Sequence, residues 1–134
     1  MSGEGFRPAA HFAAERRVLE REGLASWPAV AALGDGDLRR LAGDGLASEA
    51  RLRRLRGQAR LVQEVGVSAA EAALLLHGGI PSRQALAEAD PERLLRQLGR
   101  FQRQVLGRQA PALEQRQVRE WIRRARTPAS RSPN

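Results

Sequence analysis

The chain has no cysteine, no lysine and no tyrosine, and its only isoleucines are Ile80 and Ile122. Without cysteine, disulfides and thiol chemistry are excluded, and the redox compartment leaves no trace. Aromatic residues make up 4% of the chain, so the β-branched and aromatic residues that favour strands are scarce. Long apolar runs are missing too. The longest, around residues 69–76, is interrupted by Glu71 and is far too short to cross a bilayer. The first seven residues lack the basic start and apolar stretch of a secretory signal, so a cytoplasmic location and no membrane contact are expected.

What remains is dominated by Leu, Ala, Arg, Gln and Glu, all good helix formers, and an all-α fold follows. At 134 residues the chain suits one compact domain, or two small halves sharing a core.

The sequence also repeats itself. Residues 14–43 laid over 70–99 match without a gap at an offset of 56. Gly23 falls on Gly79, Ser26 on Ser82, Leu38 on Leu94 and Gly43 on Gly99, with apolar pairs such as Val18–Leu74 and Leu19–Leu75 between them. Internal repetition of this kind decides architecture before any single motif does. Each copy reads as a helix, a Gly-apolar turn, a short helix capped by serine, then another helix. Pro28 is tolerated in a first turn, Ser68 and Glu71 have capping-box spacing, and Asp90-Pro91 supplies an N-cap followed by proline. The expected organisation is a flexible N-terminus at 1–11, one repeat at 12–64, a second at 65–126, and a disordered tail at 127–134. A connector is expected at 107–111, ahead of a last helix over about 113–126.

All 23 basic residues are arginine. A GC-rich coding genome accounts for that choice together with the abundance of Ala, Gly and Pro, so position is more informative than type. Residues 51–62 hold five arginines and no acid, and residues 93–134 hold eleven arginines against two acids. Three stripes emerge at helical spacing. Arg53, Arg56 and Arg60 form one. Arg96, Arg100 and Arg103 lie with Arg93 opposite Leu94, Leu98, Phe101 and Val105. Arg119, Arg123 and Arg126 lie with Arg116 beside an apolar face of Val118, Trp121, Ile122 and Ala125. Cationic faces without interspersed acids focus a field toward a polyanion.

The residues Gly66-Val67, Ala72, Leu75, Gly79-Ile80, Ser82, Leu86-Ala87, Ala89-Asp90-Pro91 and Leu94 together resemble a helix-hairpin-helix repeat. The pattern is similar to the helical N-terminal domain of strand-exchange recombinases, and closer to an uncharacterised bacterial family of tandem helix-hairpin-helix units. The resemblance implies tandem units packed as one helical domain, binding duplex or single-stranded DNA without reading sequence. Phosphate would be gripped by hairpin N–H groups beside a helix N-terminus. Gly66-Val67-Ser68 and Gly45-Leu46-Ala47 are the candidate hairpins, and both carry a larger residue where the family has its second glycine.

His11 and His77 lack paired ligand spacing, and Asp35, Asp37 and Asp44 read as cap and loop charges. No metal, cofactor or catalytic activity is therefore expected. The sequence reading is a non-enzymatic, sequence-independent nucleic-acid-binding module, DNA favoured over RNA. The alternative is a module docking an acidic protein partner.

Overall fold

The computed structural model describes residues 5–102 and 112–127. Among them are eight α-helices and no strand: α1 (Ala13–Arg21), α2 (Trp27–Ala31), α3 (Asp35–Leu41), α4 (Glu49–Val65), α5 (Ala69–His77), α6 (Arg83–Ala87), α7 (Pro91–Gly99) and α8 (Gln115–Arg126). A single 3-10 turn, Ala10–Phe12, precedes α1. None of these helices is long and apolar enough to cross a membrane. The connector expected at 107–111, Arg103 and Val105, and the tail beyond Thr127 lie outside the described residues.

Local chemistry sets the helix boundaries. The Ser26, Ser48, Ser68 and Ser82 hydroxyls each accept from the amide three residues on, satisfying one of the orphan donors of a first turn. Asp90 does the same for Arg93, with Pro91 at the first helical position. At Ser68 the arrangement is reciprocal, because the Ser68 amide donates to Glu71 Oε1 at 2.9 Å. Ser68→Ala should therefore destabilise the protein by about 1 kcal/mol in urea unfolding, and no loss would show that α5 needs no cap.

The elements recur in space as they do in sequence. α5 and α6 begin and end 56 residues after α1 and α2, and α7 begins 56 residues after α3. Both turns between the first two helices contain a glycine with positive φ, Gly23 at 73° and Gly79 at 90°, a conformation that a side chain would strain. An offset copy of α4 would start near residue 105, outside the described residues; the next described helix, α8, starts at Gln115.

Two apolar clusters form the interior. Phe12, Val18, Leu19, Trp27, Val30 and Leu38 belong to the first, and Leu74, Leu75, Leu86, Leu94, Leu98 and Trp121 to the second. The long helix α4 closes both. Leu52, Leu55 and Ala59 enter the first cluster, Leu61 and Val65 enter the second, and Val62 packs against each. Buried Glu15 ties α1 to this helix by accepting from the Ser48 amide at 2.8 Å.

Within the segment 1–11, expected to be flexible, Gly5 and Phe6 reach α2. Trp27 Nε1 donates to the Gly5 carbonyl at 3.0 Å, and Phe6 meets the indole edge-on at 4.7 Å. A buried indole needs an acceptor for its N–H, and the nearest backbone supplies one.

Candidate functional site

α4 carries five arginines, and the fold divides them into two groups. The last carbonyls of α2 and the loop after it need donors, since helix C-termini leave them unpartnered. Arg60 Nε donates to Ala31 O at 2.9 Å and its Nη2 to Leu33 O at 3.1 Å. Arg56, only 9% exposed, donates to the same Leu33 carbonyl at 3.2 Å and pairs with Asp35 at 2.8 Å. Arg53 bridges Asp35 and Glu49. Hydrogen bonds from Arg56 and Arg53, with their charges, hold the Asp35 carboxyl below its usual range. The three arginines of the sequence stripe thus fasten α4 to the α2–α3 segment.

Arg51 and Arg54 belong to the other group. Both are exposed, and neither guanidinium has a hydrogen-bond or ion-pair partner among the described residues. The sequence stripe omits them because they sit off its spacing, although they fall within the acid-free block 51–62.

These side chains border a cleft of about 770 Å³ between α4 and the Pro81–Gln84 segment that starts α6. Arg51, Arg53, Arg54, Arg56, Arg60 and Arg83 all line it, and Glu64 is the one carboxylate among the described residues that does. Arg83 is not among the sequence candidates. Its Nη1 donates to Ala125 O at 2.8 Å, which draws the end of α8 toward the cleft. Gly57 lets the two walls meet, because a Cβ there would already stand 3.5 Å from Pro81 O and from Leu76. A larger side chain would push the turn away from α4.

The other sequence candidates are dispersed. Arg96 and Arg100 are exposed at the end of α7 without partners among the described residues. Arg119, also without such a partner, borders a shallow hollow on α8 with Arg116 and Arg123. Arg126 donates to Ala87 O at 2.9 Å and so helps to dock α8 on α6. Arg123 and Arg124 both pair with Glu120. Their hydrogen bonds, Arg123's foremost, hold the Glu120 carboxyl down to about 2. A depressed carboxyl stabilises the fold above its unfolded pKa of 4.5 and stops doing so as pH falls toward about 2. Glu120→Gln should accordingly lower the melting temperature near neutral pH, with the difference from wild type closing in acid. A constant difference would mean that the pair contributes nothing, the fate of many exposed ion pairs.

In each hairpin candidate a carboxylate already takes one amide, Ser68 in the one and Leu46 in the other. Gly66 adopts the left-handed conformation, its carbonyl accepts from Arg124 at 3.2 Å, and Val67 is buried. The Ser68 amide donates to Glu71, whose carboxylate therefore occupies the start of α5. At the other hairpin the Leu46 amide donates to Asp44 Oδ1 at 3.1 Å. Among the described residues no group of three His, Asp or Glu is placed to hold a metal.

The described residues define an all-helical protein built around one shared helix, with an arginine-lined cleft along it. Residues 10–128 match the family model described as Domain of unknown function (DUF4332), and the chain belongs to that family. No curated protein and no solved structure matches the chain.

Proposed function

We propose that the protein is a non-enzymatic module that binds nucleic acid, DNA in preference to RNA, without reading its sequence. The observation that carries this reading is the cleft beside α4, where six arginines face one lining carboxylate and two of the six have no partner among the described residues. Guanidinium groups suit phosphate because their N–H donors form a planar fork. Arg51 and Arg54 supply the contacts, with Arg96, Arg100 and Arg119 as further exposed cations. Arg53, Arg56 and Arg60 add positive potential while holding the wall in place.

The scaffold is read as two helix-hairpin-helix units, similar to the N-terminal domain of strand-exchange recombinases. The recurrence of helices and glycine turns at a 56-residue offset supports this. Phosphate contact shifts from the hairpins to the cleft, because Glu71 and Asp44 each take one hairpin amide and place negative charge beside it. That same occupation favours a second reading, in which the basic cleft docks an acidic protein.

Fluorescence anisotropy with labelled duplexes and single strands of unrelated sequence separates the two. Micromolar binding at about 0.15 M salt, weakening steeply as salt rises, is the expected result. Absence of binding even at low salt, with retention of an acidic polypeptide, would transfer the cleft to a protein partner.

A further inference from the structure

A second cleft, of about 490 Å³, lies on the other side of Arg54, between α4, α5 and the segment before α1. Its size falls within the range of about 300–1,000 Å³ typical of sites for small molecules. The only two histidines of the chain, 66 residues apart in sequence, both line it, together with the buried Phe12. His77 meets Phe101 edge-on at 4.8 Å, and His11 lies 4.1 Å from Phe12, so each ring is braced by an aromatic neighbour. Ala69, Ala70 and Ala73 leave one face of α5 without bulk. Among the described residues no carboxylate borders the cleft, while Arg7 and Arg54 do. Neither guanidinium has a partner among the described residues.

We infer that this cleft receives one unstacked base of a single-stranded nucleic acid whose phosphates lie along Arg54 and the α4 cleft. The inference rests on the nucleic-acid reading and makes it specific. Aromatic and histidine rings take bases by stacking, and arginines beside them take the adjoining phosphate. Arg54 borders both clefts, so one cation can hold the phosphate that joins the inserted base to the rest of the strand. A base within a duplex would first have to be unpaired and unstacked to enter, which favours a single strand.

The test compares three labelled probes of equal length: oligothymidine, a strand with the same phosphates but abasic sugars, and a duplex. Wild-type protein should bind oligothymidine at least about fivefold more tightly than the abasic strand, the lower end of what one stacked base supplies. Ala73→Leu, which fills the cleft, and His77→Ala, which removes an exposed ring, should each shrink that ratio toward one. Both variants should keep their helical circular dichroism. Equal binding of the two strands by wild-type protein would overturn the base site and leave the phosphate cleft standing. Binding of neither strand nor duplex would remove the nucleic-acid reading itself. Thymidine monophosphate competing as well as the strand, nucleotide for nucleotide, would assign the cleft to a free nucleotide instead.

Discussion

Trp27→Ala should lower the stability of the protein by about 3–5 kcal/mol, the usual cost of emptying a tryptophan site in a packed core. Domains commonly have only about 5–15 kcal/mol in total, so this variant should be close to unfolding at room temperature. Two effects combine. The indole is 1% exposed inside the first apolar cluster, and its removal leaves a void that short α2 cannot close while its ends are fixed by Ser26 and by Arg60. The Gly5 carbonyl and Phe6 are also deprived of their partner, which frees the segment before α1. Urea unfolding followed by circular dichroism measures the effect. Trp27→Phe isolates the hydrogen bond and should cost less, since most of the volume is kept. A drop below about 1 kcal/mol for Trp27→Ala would mean that the first cluster can collapse onto the gap.

Reversing charge at Arg51 and Arg54 together should weaken DNA binding at least about tenfold. The slope of log affinity against log salt should fall by about 2, one for each phosphate that is no longer neutralised. The melting temperature should hardly change, because neither guanidinium has a hydrogen bond or ion pair among the described residues. Arg56→Glu provides the contrast. It buries a carboxylate against the Leu33 carbonyl and Asp35, and should unfold the protein whatever it does to binding. Anisotropy titrations at several salt concentrations, paired with thermal melts, separate the two effects. Unchanged affinity in the double variant would take the cleft out of consideration and leave the cations of α7 and α8.

Most of the fold is readable in the sequence because its signals are local. The serine caps, the Ser68–Glu71 pair and the glycines of the α1–α2 and α5–α6 turns act across three to five residues, and the structure places each where its spacing indicates. The apolar face of α8 is equally plain: Val118, Trp121, Ile122 and Ala125 are all buried. The candidate site is less readable. Nothing near Arg56 or Arg60 in sequence reveals that α2 ends beside them, since their carbonyl partners lie 23 to 29 residues away. Periodicity shows which side of a helix an arginine occupies. It does not show whether that side meets solvent or the end of another helix. The two histidines look unrelated in sequence for a similar reason: they line one cleft only because α5 packs against α4 and the segment before α1 borders the same space.

Because α4 belongs to both apolar clusters, the molecule has no place to be divided. Cutting the chain after Gly66 would strip Leu61 and Val65 from one interior while leaving them bare on the other fragment. The duplication seen in α1–α3 and α5–α7 is therefore one of pattern and not of independence. Each half carries its own tryptophan, Trp27 in one cluster and Trp121 in the other, and the two fluorophores should report one common melting point.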